Sequence, residues 1–135
     1  MIVFLDACVL IYWIEAQEPY HSRVISRMNE LWRRDRNRQL ALSRLSILEC
    51  LVKPMREQDA RVENAYREFF AAPDLLWVEL TADVIENAAR LRAQARLKTP
   101  DALQASSALS LGDEVLFLTN DDRFESVKGL NVVRV

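Results

Sequence analysis

Glycine and proline are scarce in this chain of 135 residues, two and four in number, which argues against disorder and against linkers. Cysteine occurs twice, at Cys8 and Cys50, each inside an apolar segment. That excludes a disulfide framework and fits a reducing cytosol, so the expected location is cytoplasmic. The two cysteines and the lone His21 have none of the spacings of a zinc site. No apolar run approaches the roughly 18–20 residues that cross a bilayer, and no basic n-region with an apolar h-region opens the sequence, so neither a membrane span nor a signal peptide is expected. Positive charge is not in excess either: 18 Lys and Arg stand against 20 Asp and Glu, a formal net charge of −2. General polyanion binding is thereby excluded, and any nucleic-acid contact must rest on local basic patches or bound cations.

What is present is an ordinary globular composition, 50% apolar and 28% charged, of a length that predicts one domain, residues 1–135, with one sizeable core. Ile2-Val3-Phe4-Leu5 is a short apolar run that reads as a strand buried on both faces, and it ends at Asp6. A short helix is expected over Val9–Ile14 and a second from Tyr20, where Val24, Met28 and Leu31 recur at helical spacing. Leu40–Leu42 reads as a strand, with Ser43 as N-cap of a helix from Arg44 to about Lys53 that Pro54 ends or kinks. Val62, Tyr66 and Phe69 mark a fourth helix, and Leu75–Val78 a third strand. Thr81 caps a fifth helix carrying a Glu86–Arg90 pair at i,i+4. Thr99-Pro100-Asp101 starts a sixth, with Thr99 at N-cap, that runs to Leu111 and stops at Gly112. Val115–Leu118 and Asn131–Val135 complete five strands. This alternation predicts an α/β fold: a three-layer sandwich whose central, mainly parallel five-stranded sheet is flanked by helices.

Four acids hold special places on this map. Asp6 follows the first strand, Glu49 lies on the helix after the second, Asp101 opens the helix before the fourth, and Asp121 follows the fourth. Ligands of open α/β sheets bind beyond the carboxyl ends of the strands, where such junctions can share an edge. Each acid has a plain alternative: a helix-dipole acid at Asp101, turn residues at Asp121 and Asp122, a cap at Asp6. Glu49 is harder to dismiss, because the apolar Ile47, Leu48, Leu51 and Val52 surround it and a buried carboxylate needs a partner, either a cation or an Arg. Gathered together, the four would repel one another unless a hard divalent cation kept them ionised. Oxygen-only ligands suit Mg²⁺ or Mn²⁺, which polarise a phosphoryl oxygen and activate water.

The segments Val3-Phe4-Leu5-Asp6, Ser43 to Glu49, Leu97 to Gln104 and Phe117 to Phe124, in this order and spacing, resemble the PIN-domain family, in particular its VapC-like ribonuclease toxins. The resemblance implies a metal-dependent endoribonuclease acting on RNA, forming a homodimer and neutralised by a cognate antitoxin. Carried over position by position, it implies that Asp6, Glu49, Asp101 and Asp121 are catalytic and bind Mg²⁺ (or Mn²⁺), with Thr119 and Ser46 supporting them. The sequence departs from the family in two places. Cys8 stands where Asn, Ser or Thr is common, and Arg123 stands before the closing Phe124 where an acid is common. The Thr-x-Asp spacing selects Asp121 over Asp122 for the metal.

Substrate contacts are not assigned. The run Arg33, Arg34, Arg36, Arg38 reads better as a solvated helix end than as a phosphate grip, and Arg92 is a further weak candidate. An apolar face on the first two helices (Ile11, Tyr12, Ile14, Tyr20, Val24) is either a dimer surface or core. Two rivals stand beside the nuclease. One is a PIN-fold module that binds RNA or a protein without cutting. The other is a phosphoryl-accepting domain, disfavoured because Cys8 replaces the second Asp of the haloacid-dehalogenase type and Lys128 is poorly placed for a receiver.

Overall fold

All 135 residues are described by the computed structural model. The strands are β1 (Ile2–Leu5), β2 (Gln39–Ser43), β3 (Leu76–Val78), β4 (Val115–Thr119) and β5 (Asn131–Arg134). The helices are α1 (Ala7–Ile14), α2 (Tyr20–Arg34), α3 (Leu45–Arg56), α4 (Ala60–Phe70), α5 (Ala82–Gln94) and α6 (Thr99–Leu109), and a 3₁₀ turn covers Asp122–Ser126. The strands form one sheet in the order β3-β2-β1-β4-β5. Every pairing in it is parallel, so the expected mainly parallel sheet is wholly so. A receiver-like sheet of order 2-1-3-4-5 is a different topology.

Both faces of the sheet are covered, which is why β1 is apolar without alternation. Side chains along a strand point to opposite faces in turn. Val3 and Leu5 therefore join the core formed with α1 to α4, including Leu10, Val24, Leu31 and Tyr66. Phe4 points the other way, into the core made with α5, α6 and the 3₁₀ turn, where Phe117, Ala105 and Phe124 lie. The three tryptophans, Trp13, Trp32 and Trp77, pack against the first core as half-buried residues.

The Tyr66 hydroxyl donates to Glu15 at 2.5 Å across this core, and the Lys53 ammonium lies 3.8 Å from the same carboxylate.

Several local expectations are corrected. Ser43 is the last residue of β2 and not a cap in α3; its hydroxyl still accepts from the Leu45 N–H at 3.2 Å, one residue off the expected register. α3 passes through Pro54 and ends at Arg56, so the proline does not end it. Lys98 is the N-cap of α6, which puts Thr99 and Pro100 inside its first turn. That helix stops at Leu109, and Gly112 follows in a turn with φ +108°, a conformation other residues rarely adopt. Arg90 bonds Asn87 at 2.7 Å and not Glu86, a small difference for exposed groups whose pairing is worth under about 1 kcal/mol. No helix is long and apolar enough to cross a membrane.

Candidate active site

Parallel strands end at one edge, and there the sequence has placed its acids. Asp6 follows β1 directly, its N–H donating to the Leu118 carbonyl at 3.0 Å. Asp121 lies two residues past β4, the strand beside β1. From β1 the chain builds β2 and β3 to one side and later β4 and β5 to the other, so Asp6 and Asp121 flank the switch point where such sheets bind ligands. Glu49 reaches the same edge from the second turn of α3, and Asp101 from the first turn of α6. All four line one cleft of about 600 Å³, together with Cys8, Tyr12, Asn120, Asp122 and Arg134.

The four acids differ in how they are compensated. Asp6 is 7% exposed; the Thr119 hydroxyl donates to its Oδ2 at 2.7 Å and the Cys8 thiol at 3.3 Å. Burial lifts its carboxyl to about 6, against these two hydrogen bonds and with help from the Glu49 and Asp101 charges. Cys8 is itself pushed up to about 12 by burial and by Asp6, so the thiol keeps its proton and acts as a donor. Glu49 also lies above the ordinary range, chiefly through burial, although the Gln104 amide donates to it at 2.9 Å. Asp101 is raised by burial, with Arg123 opposing. Asp121 alone is held low, by the Arg123 side chain that pairs with it. The Arg123 guanidinium bonds both oxygens of Asp121 and reaches Asp101 at 3.4 Å. Thus no arginine partners Glu49, whose one side-chain donor is the neutral Gln104 amide; the pair with an arginine appears at Asp101 and Asp121 instead.

Thr119 joins two of the acids, since its hydroxyl also accepts from the Asp121 N–H at 3.1 Å. Ser46 is fully buried and touches the site through Gln104, whose amide donates to it at 3.0 Å. Gln104 is the residue that sequence reasoning passed over. It sits one turn beyond Asp101 on α6, and that i+3 spacing is the signal that could have found it. Its Nε2 fixes Glu49 while its own Oε1 is buried without a partner. Replacing Gln104 by Leu is expected to raise the Glu49 titration midpoint further, because a hydrogen bond to the charged form is lost. Carboxyl NMR titration checks this, and an unmoved midpoint would show that the amide does not control Glu49.

The basic groups lie elsewhere than the arginine run. Arg36 and Arg38 precede the start of β2, and the acids follow strand ends, so the run sits at the opposite edge of the sheet. Asp35 there pairs with the amino group of Met1 at 2.8 Å, and Arg38 covers the Trp32 ring at 4.4 Å. Arg92 is engaged with Thr99 at 2.8 Å. Besides Arg123, the cation at the cleft is Arg134, on the last strand, which lines its wall, donates to the Asn120 carbonyl at 3.0 Å and lies 3.5 Å from Glu125. Lys128 does not line the cleft.

The donor set, carboxylate oxygens raised by burial and mutual repulsion, fits a hard divalent cation. As the side chains stand, no three of the protein's acids, cysteines or histidine are grouped to hold one ion, so a third carboxylate would have to turn to join Asp6 and Glu49.

The sequence pattern of the PIN domain matches residues 3–130. No curated protein matches the chain significantly. Among solved structures the fold is similar to VapBC2 from Rickettsia felis bound to a promoter DNA fragment, with TM-score 0.75, 18% identity, and 99% of this chain and 98% of that chain covered. It is similar to VapBC-1 from nontypeable Haemophilus influenzae, with TM-score 0.70, 19% identity and coverage of 99% and 98%. A toxin–antitoxin complex from Klebsiella pneumoniae gives TM-score 0.70, 21% identity and coverage of 97% and 95%. At such identities these likenesses speak for the fold; it is the domain pattern, running over nearly the whole sequence, by which the chain belongs to the PIN-domain family.

Proposed function

We propose that this protein is a Mg²⁺- or Mn²⁺-dependent endoribonuclease, the toxin of a toxin–antitoxin pair. The observation that carries the reading is that Asp6 and Glu49, two buried or half-buried carboxylates without a cationic partner, open into the cleft that Asp101 and Asp121 also line. Asp6, Glu49 and Asp101 would hold the ion, with Asp121 beside them. When bound, it would supply Lewis-acid polarisation of a phosphodiester and an activated water. Thr119 and Cys8 orient Asp6, and Gln104 orients Glu49, so the carboxylates meet the ion with little rotamer freedom left. One of the acids accepts the water's proton, and no covalent enzyme intermediate is required. Arg134, on the cleft wall, would face a phosphate.

The partner reading rests on the Klebsiella pneumoniae neighbour, which is described as a toxin–antitoxin complex. Of the α1–α2 face weighed as a dimer surface or core, Val24 is fully buried, while Ile11, Tyr12, Ile14 and Tyr20 are half-buried, with Tyr12 stacked on Tyr20 at 4.5 Å. Exposed apolar side chains at Leu48, Val52 and Met55 on α3 offer a homodimer a second apolar surface.

The second reading, a silent PIN-fold binder, is favoured by one observation, the guanidinium already seated on Asp101 and Asp121. Incubating RNA with the purified protein separates the two. The nuclease cleaves with Mn²⁺ and stops with EDTA; RNA that is bound but intact under both conditions sinks the nuclease reading.

A further inference from the structure

Resting on the metal-dependent reading above, we propose that Arg123 is the resident cation of the Asp101–Asp121 end of the site, so that the chain takes a single divalent ion, at the Asp6–Glu49 end.

The two ends of the cleft are compensated by different means. At one end every group that donates to a carboxylate side chain is neutral: a hydroxyl and a thiol on Asp6, an amide on Glu49. Neutral donors orient a carboxylate but leave its charge in place. At the other end Asp121 receives Arg123 three times over. The backbone N–H of Arg123 donates to its Oδ1 at 2.9 Å, Nε lies 3.0 Å from both oxygens, and Nη2 closes a bidentate pair. The same Nη2 reaches Asp101 at 3.4 Å, a looser contact that leaves Asp101 able to turn toward an ion at Asp6 and Glu49.

A divalent ion seated on Asp121 would sit about 2 Å from its oxygens, in the space the guanidinium fills, and would face that positive charge at short range. It could bind only after Arg123 had swung away. Retreat of the whole turn is opposed by Phe124, the next residue, which is fully buried. The backbone therefore holds Arg123 beside Asp121 while its side chain, at 46% exposure, has room to move. With Arg123 in place, the Asp101–Asp121 end presents a monovalent cation to the phosphodiester where a second metal ion would otherwise sit.

Mn²⁺ binding to the purified chain, followed by calorimetry and electron paramagnetic resonance, tests this without reference to cleavage. Wild type is expected to bind one Mn²⁺ per chain, and Asp6→Asn to lose it. Arg123→Gln is expected to bind a second ion, or to bind the first at least tenfold more tightly. Arg123→Lys, which keeps the charge, should stay at one. Two ions on wild type, or an Arg123→Gln protein indistinguishable from wild type in number and affinity, would overturn the proposal. The wild-type count decides alone if the variant fails to fold. A wild type that cleaves RNA with Mn²⁺ while Arg123→Gln binds unchanged refutes the role of Arg123 and leaves the nuclease standing. A wild type that binds no Mn²⁺ refutes both.

Discussion

Replacing Asp6 by Asn is expected to abolish RNA cleavage and, at the same time, to stabilise the metal-free protein at neutral pH. The activity loss should reach at least about a hundredfold, because several kcal/mol of transition-state stabilisation ride on a bound metal and each 1.4 kcal/mol or so is tenfold. The stability gain follows from burial. Asp6 holds its proton to about pH 6 in the folded chain, against 3.8 for the free side chain. Between those values the folded state binds more protons than the unfolded one, so stability falls as pH rises through the window. Below it the group is neutral in both states and the penalty vanishes; above it the penalty is complete, roughly 2–3 kcal/mol for a shift of about two units. Asn carries no such charge and still accepts from Thr119. Melting curves in EDTA should therefore coincide near pH 4 and separate by pH 7, with the variant higher. Saturating Mn²⁺ should raise wild type alone, since an ion that binds only the folded form stabilises it by mass action. Parallel curves at all pH values, or a variant that cuts RNA as fast as wild type, would remove Asp6 from the role given to it.

Phe124→Ala is expected to be the most damaging single change outside the acids. Its ring is fully buried and lies 4.7 Å from Phe117, which stacks in turn on Phe4 at 5.6 Å. Truncating a core aromatic costs about 3–5 kcal/mol, a large share of the roughly 5–15 kcal/mol by which domains are stable. The urea midpoint should drop accordingly, and Phe124→Leu should recover much of it. The same truncation unseats the 3₁₀ turn that carries Arg123 beside Asp121. Faster amide exchange at Arg123 should accompany the loss of stability. An unchanged midpoint would mean the ring is not part of the core.

The layers of the fold were legible because β-branched and aromatic runs of four or five residues, separated by helical periodicity, leave little choice but a covered parallel sheet. The convergence of Asp6 and Asp121 was legible for the same reason: parallel strands end together. Caps were misplaced by one residue at Ser43 and Thr99, since a hydroxyl reaches an N–H two or three positions on from either side of the boundary. What satisfies Glu49 was beyond reach of pattern alone. Its partner Gln104 lies 55 positions away, and only the packing of α3 against α6 brings the amide there. Arg123 was visible as a departure from the family, but its reach to Asp101 depends on where α6 begins in space. The opposite placement of Arg33 to Arg38 could have been read: residues that precede a parallel strand cannot share an edge with residues that follow its neighbours.

The hydrogen bond from Thr119 to Asp6 spans 113 positions, and β4 must slot in beside a β1 already paired with β2. While the chain emerges from the ribosome, its amino-terminal strands and first helices can collapse together early. The cleft cannot be complete until the chain has passed β4, because four of its eleven lining residues, Asn120, Asp121, Asp122 and Arg134, follow that strand. Any fragment that stops short of β4 is thus born without a complete site.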